Sequence, residues 1–391
     1  MIVIVTLNPA LRVEYLTRGL ELGQDNAISG IAVRASGGAL TAARLLTTFG
    51  HDVVVAGLAG GSAGDLIRAD LGRAGVAARF TRIAAESRRV VSLVDRTSGQ
   101  VTRLAEPAPY ITTEELGRLA GDFRRLLDGA DAVLLCGSLP AGLPPDIYGS
   151  LTSYAADAAD PVIVAVGDEA LQHAVRRGPA LVIPELAAEA AERGAAPAGG
   201  PVAAGPSAPG SAVPGEREPG TAGGLAAAGP SAPGEREPES AGGPVAAGPS
   251  APGSAVPGER GAASAGWPVP AGSLSLGWSP APVGPALALL GPRGVRVLTG
   301  QDTWLAGLPA SGLPAVRRSG GGTPADGPAS DRAAAFRDAL VAGFVPGVAL
   351  SWSWPDMLRH AVALAGSVDA GGEADLAAYE ALLPAVVIAR G

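Results

Sequence analysis

The chain has 391 residues, with 29 Lys and Arg against 37 Asp and Glu and a formal net charge of −8. That balance excludes a nucleic-acid or anionic-membrane partner, because both need a concentrated basic face. The chain has 1 cysteine and 3 histidines without ligand spacing, so neither a disulfide nor a metal site is predicted. No signal peptide and no membrane-spanning run is apparent, and a cytoplasmic protein is expected.

Short apolar runs alternate with helical stretches along the chain. We predict buried parallel strands where branched apolar residues cluster, at 2–7, 53–60, 132–140, 161–167, 180–185 and 286–291. Segments between these runs carry apolar residues at helical spacing and often end in glycine, which predicts helices. This alternation is typical of an α/β fold with helices on both faces of a mostly parallel sheet.

Two pairs of segments depart from that rhythm. Residues 12–19 with 27–35, and residues 88–96 with 99–106, have the pattern of hairpin strands. Four such strands early in an α/β chain predict a small second sheet beside the main one.

The segment 195–280 is rich in Gly, Pro, Ala and Ser, and GGPVAAGPSAPGSAVPGER at 199–217 recurs at 242–260. It has few branched apolar side chains to offset the entropy of ordering, so we predict a disordered insert. The chain is then read as a first domain part at 1–194, the insert, and a second part at 281–391. Together the two parts have a usual size for one α/β domain.

Four local motifs carry a resemblance to a known family. They are TLNPAL (6–11), SGGALTAARLLTTFG (36–50), GSLPAGLPPDIY (137–148) and DALVAGFV (338–345). The chain resembles the ribokinase-like carbohydrate kinases, in the phosphofructokinase-B branch that includes 1-phosphofructokinase and tagatose-6-phosphate kinase. The resemblance implies a three-layer αβα fold with a β-sheet lid, a sugar-phosphate substrate, and ATP with Mg²⁺ as cofactors. It also implies a homodimer formed through the lid.

Asp338 stands where the family has its general base, at the start of a helix. In the family, a Gly-Ala-Gly tripeptide precedes that base and its amides form an anion hole. Here Ala335, Phe336 and Arg337 replace it. Arg337 could itself contact a nucleotide phosphate. The alternative is that Asp338 is only a helix-terminal acid favoured by the dipole.

The resemblance also implies residues for the sugar phosphate. Arg88 and Ser138 fall where family members contact the existing phosphate, and Gly37 is kept in the glycine motif.

Three other positions of the sugar site depart from the family. Arg12 replaces an acidic residue that binds a sugar hydroxyl, and we expect Arg12 to bind a phosphate or another anion instead. Gly38 and Thr41 replace a lysine and an asparagine. The alternative is that Arg12 and Arg88 are ordinary surface residues of the lid strands.

On the nucleotide side, Glu185 follows Ile183-Pro184 where the family has an asparagine, and it could help to hold Mg²⁺ through water. Gly291 and Gly294 fall at the turn beside the expected adenine pocket. Glycines in turns also occur for backbone reasons alone.

Three functions are compatible with these residues. The first is an ATP-dependent kinase that phosphorylates a sugar-phosphate hydroxyl, with Asp338 as base. The second is a pseudokinase that binds a sugar phosphate, a nucleotide or a partner protein without turnover, because one lost electrostatic donor costs about 3–4 kcal/mol of transition-state stabilisation. The third is a scaffolding protein that uses the insert.

Overall fold

A computed structural model of the protein describes residues 1–140, 142–158, 160–185, 286–291, 294–308 and 329–391. The predicted insert at 195–280 lies outside the described residues.

Strands and helices alternate through most of the described chain. The strands are β1 (Ile2–Thr6), β2 (Ala10–Thr17), β3 (Gly30–Ser36), β4 (Val53–Gly60), β5 (Ala77–Ile83), β6 (Arg89–Asp95), β7 (Val101–Ala105), β8 (Ala132–Cys136), β9 (Val162–Ala165), β10 (Leu181–Val182), β11 (Ala286–Gly291), β12 (Gly294–Leu298), β13 (Thr303–Gly307) and β14 (Val387–Arg390). The helices are α1 (Gly38–Thr48), α2 (Gly61–Arg73), α3 (Thr113–Leu127), α4 (Ile147–Asp157), α5 (Asp168–Val175), α6 (Ala329–Ala349), α7 (Trp354–Gly366) and α8 (Leu376–Leu382).

The main sheet has the order β14-β13-β12-β11-β10-β9-β8-β1-β4-β5. Its strands from β5 to β11 pair in parallel, and β12, β13 and β14 extend it with antiparallel pairs. The six predicted buried strands are all present in it. Strands β5 and β14, at its two edges, were not predicted from the sequence.

Alternation along β1 shows why the fold has three layers. Ile2 and Ile4 point into a core on one face of the sheet, and Val3 and Val5 point into a core on the other. Helices α1, α2, α6 and α7 cover the first core, and α3, α4 and α5 cover the second. Both faces are therefore buried, and the predicted three-layer α/β fold with a mostly parallel sheet is confirmed.

The predicted lid is confirmed as a second sheet with the order β3-β2-β6-β7. It joins the main sheet where β2 follows directly after β1. Cross-strand partners share a face, so the apolar Val13, Val33, Val91 and Leu104 line one side of the lid. The polar Arg12, Ser92 and Arg103 lie on the other side.

No helix within the described ranges combines the length and the apolar character needed to cross a bilayer.

Candidate active site

The candidate site lies at the carboxyl edge of the main sheet. Asn8 follows β1, Ser138 follows β8 and Glu185 follows β10, and these three strands run in parallel. Crevices at the carboxyl ends of parallel strands are the usual ligand sites of open α/β sheets. The lid begins at the same edge, because β2 starts at Ala10.

Asn8 and Ser138 contact each other at this edge. Asn8 Nδ2 donates a hydrogen bond of 3.0 Å to Ser138 Oγ. Asn8 is only 8% exposed, and its Oδ1 accepts no hydrogen bond from any residue that the structure describes. A buried amide oxygen without a donor is costly, so Asn8 is ready to accept from a ligand hydroxyl. Asn8 was not among the predicted site residues, although a polar residue directly after a buried strand is a detectable signal.

Arg88 lies at the base of the lid. Its carbonyl oxygen accepts a hydrogen bond of 2.9 Å from the amide of Leu11, the residue before Arg12. The side chain is 8% exposed, and burial lowers the pKa of its guanidinium. Arg88 is therefore not an ordinary surface residue, and that alternative is wrong for this position.

The glycine motif turns the chain from the lid into α1. Gly37 is the N-cap of α1 with φ 131, a conformation that only glycine adopts readily. Gly38 is buried, and the Thr41 hydroxyl donates back to the Gly37 carbonyl over 3.4 Å.

Arg12 spans the space between the lid and helix α6. Its guanidinium contacts Asp331 in the first turn of α6 over 3.0 Å, and its Nε donates to Ser92 Oγ over 3.4 Å. Arg103 of β7 contacts the second carboxylate oxygen of Asp331. The Arg12 side chain is only 27% exposed. The alternative of an ordinary surface residue is therefore wrong for Arg12 as well.

The prediction that Asp338 stands at a helix start is wrong. Helix α6 begins at Ala329 and passes through Asp338 to Ala349. Ala335, Phe336 and Arg337 are compatible with a helix interior, whereas glycines at these positions would disfavour it. The amides of 335–338 are therefore engaged with carbonyls one turn earlier, and they cannot form an anion hole.

Arg337, Asp338, Glu185 and Gly38 line one cavity beside Cys136, at the carboxyl ends of the strands. The structure thus brings together three of the predicted nucleotide-side and catalytic residues. The cavity has a volume of about 20 Å³, which is room for about one water molecule. In this arrangement the residues do not fit the terminal phosphate of ATP. No group of three or more His, Cys, Asp or Glu that could hold a metal ion occurs among the described residues.

Comparison with known proteins gives the same fold and a family match over part of the chain. Residues 10–197 match the family described as "pfkB family carbohydrate kinase". Over these residues the chain is similar to the pfkB carbohydrate kinases. A putative phosphofructokinase from Staphylococcus aureus is 17% identical with a TM-score of 0.63, and the match covers 100% of this chain and 99% of that one.

Two further solved structures are similar. A possible 1-phosphofructokinase from Thermotoga maritima is 16% identical with a TM-score of 0.65, covering 100% and 99% of the two chains. Phosphofructokinase-2 from Escherichia coli, in complex with fructose-6-phosphate, is 15% identical with a TM-score of 0.62, covering 98% of each. At this identity the three structures show the fold.

The two glycines at the expected adenine side differ in how closely they are packed. Gly291 and Gly294 are cross-strand partners in β11 and β12. A Cβ on Gly294 would lie 2.2 Å from the carbonyl oxygen of Ala306 in β13, so strand packing requires glycine there. A Cβ on Gly291 would approach nothing closer than 3.6 Å.

Proposed function

We propose that this chain binds a sugar phosphate between the lid and the carboxyl edge of the main sheet, without transferring phosphate from MgATP. The observation that carries this proposal is the course of α6 through 335–338. Phosphoryl transfer depends on preorganised donors that meet developing negative charge, and the family's glycine amides would be those donors. Inside a helix they have other partners.

Binding is supported by the residues that remain on the sugar side. Asn8 offers a buried acceptor for a hydroxyl, Ser138 lies within hydrogen-bond distance of Asn8, and Arg88 places a buried guanidinium at the base of the lid. A forked cation and a hydroxyl suit a phosphate group. The related E. coli enzyme was solved with fructose-6-phosphate. We therefore propose a phosphorylated hexose as the ligand class.

A kinase that uses ATP and Mg²⁺, with Asp338 as general base, is the second candidate. It is favoured by one observation, namely that Asp338, Arg337 and Glu185 line the same cavity. It requires residues 329–337 to leave the helical conformation so that amides and space become accessible to a nucleotide. In that state Gly291 and Gly294 would lie beside the adenine ring, as the sequence predicts.

The two candidates differ in turnover. Purified protein is incubated with MgATP and a panel of fructose and tagatose phosphates, ADP release is followed, and calorimetry measures binding. We expect binding of a sugar phosphate and no ADP release above the protein-free rate. ADP release that is abolished by Asp338→Ala would establish the kinase instead.

The binding residues are tested in the same assay. Asn8→Ala and Ser138→Ala should each weaken sugar-phosphate binding by about tenfold, because each removes a hydrogen-bonding group from a buried site. Ser153→Ala is the matched control, since the Ser153 hydroxyl donates to the Gly149 carbonyl of its own helix α4. Equal affinity in all three variants would contradict the assignment of the site.

We further propose that two copies pair through the outer side of the lid. Ile31 is 65% exposed, Val33 is 37% exposed and Leu104 is 56% exposed, and all lie on the lid strands. Contiguous apolar surface of this kind is typical of a protein interface. Sedimentation of Val33→Asp against the unaltered chain tests it, with a dimer expected only for the latter.

A further inference from the structure

Asp331 is held by two arginines from the lid. Arg12 on β2 contacts one carboxylate oxygen over 3.0 Å, and Arg103 on β7 contacts the other. The Asp331 side chain is 17% exposed and each arginine side chain is 27% exposed. Two guanidinium groups that converge on a partly desolvated carboxylate form a strong anion site.

In the structure, the group between the two arginines is the carboxylate of Asp331 from the same chain. Asp331 lies in the first turn of α6, whereas both arginines lie on the lid. Its negative charge lies in the first turn of the helix, which is where the helix dipole favours an acidic side chain.

We propose that Arg12 and Arg103 form a binding site for the carboxylate of a sugar acid, and that Asp331 is an intramolecular occupant which this ligand displaces. The inference deepens the proposed function, on which it rests for the sugar part of the ligand. A carboxylate is the favoured group because a carboxylate is what the two arginines hold in the structure. Displacement of Asp331 releases the contact between the lid and α6, so ligand binding and lid opening are coupled.

An occupant on the same chain acts at a high effective concentration and lowers the apparent affinity for a competing ligand. Removing its charge should therefore strengthen binding. Calorimetry of the full chain with D-gluconate tests this, with glucitol as the matched neutral ligand. We expect Asp331→Asn to bind gluconate about tenfold more tightly than the unaltered chain. The affinity for glucitol should stay the same.

The other ion pair between lid and body supplies a control. Arg34 of β3 contacts Glu373 over 2.7 Å, with side chains 42% and 67% exposed. Glu373→Gln removes an exposed ion pair of the lid and leaves the two arginines and Asp331 in place, so it should change gluconate affinity by much less than Asp331→Asn does. An equal gain in Glu373→Gln would mean that only lid mobility matters, and it would overturn the proposal. Adding Arg103→Met to Asp331→Asn should remove the gain.

A second measurement covers the case in which Asp331→Asn does not fold. In the unaltered chain, saturating gluconate should speed hydrogen exchange of the amides at 333–337, because the first turns of α6 lose their contact with the lid. Unchanged exchange would overturn the proposal. Inorganic phosphate is tested alongside, and a response to phosphate but not to gluconate would also overturn it.

Gluconate carries no phosphate. Its affinity and its effect on hydrogen exchange therefore do not depend on the phosphate contacts proposed for Arg88 and Ser138. Failure to bind fructose or tagatose phosphates with an intact gluconate response would refute the proposed function alone. The reverse pattern would refute the anion site alone.

Discussion

The two halves of α6, residues 329–338 and 339–349, are held in place by different contacts. Residues 339–347 are all buried, and they pack against α7 so closely that a Cβ on Gly343 would lie 2.4 Å from Cα of Ala361. In the first half, Arg332 and Ala333 are exposed, and Asp331 is tied to the lid by ion pairs. The second half is part of the scaffold, whereas the first half is held by its contacts with the lid.

The largest effect should come from placing a side chain that is too large in the tightly packed second half of α6. Gly343→Leu places a branched side chain against the backbone of α7, and we expect it to lower the free energy of unfolding by about 3 kcal/mol or more. Urea denaturation measures the change. Ala333→Leu in the exposed half is the control, and it should change stability by less than about 0.5 kcal/mol. Similar losses in both variants would contradict the contrast between the halves.

The packing of α7 predicts a dependence on pH. His360 is 8% exposed, and burial, with a smaller contribution from His51, lowers its pKa from 6.5 to about 4. Its Nδ1 lies 2.7 Å from the Tyr379 hydroxyl. The unfolded chain therefore binds a proton that the folded chain does not bind at intermediate pH. Stability should fall as pH drops from about 6.5 to about 4, by about 3 kcal/mol from this residue.

Denaturation at a series of pH values tests the contribution of His360. In His360→Asn the loss between pH 6.5 and 4 should be smaller by most of that amount, although the variant is less stable at neutral pH. An unchanged pH profile would show that the histidine is not desolvated in the folded chain.

Introducing glycine into the first half of α6 should lower the stability of that half of the helix. Ala335→Gly combined with Arg337→Gly should cost about 2 kcal/mol of helix stability, about 1 kcal/mol for each glycine. Hydrogen exchange should rise at 331–337 and stay the same at 339–347. If exchange in both halves rises together, α6 unfolds as one unit and the two halves are not separable.

The smallest effect should come from removing the exposed ion pair between Arg34 and Glu373. Glu373→Gln should change the free energy of unfolding by no more than about 0.5 kcal/mol, since both partners of its ion pair are largely exposed. A thermal melt measures this change. A loss of several kcal/mol would mean that the lid is held mainly at its β3 edge, away from Asp331.

Much of the scaffold could be predicted from the sequence. Buried strands need continuous apolar runs and lid strands need alternation, so both leave a clear pattern. The start of α6 was mistaken because the motif around Asp338 suggested a boundary, whereas the alanine-rich residues before it have high helix propensity. The contact between Arg12 and Asp331 joins residues 319 positions apart. Nothing in one sequence signals such a pair.

The central claim is that the amides of 335–338 are engaged within a helix and do not receive a phosphate. Hydrogen exchange at these four residues, with and without MgATP and a fructose phosphate, tests it most directly. We predict strong protection that the ligands leave unchanged. Loss of protection across 329–337 on adding MgATP, together with ADP release, would contradict the account.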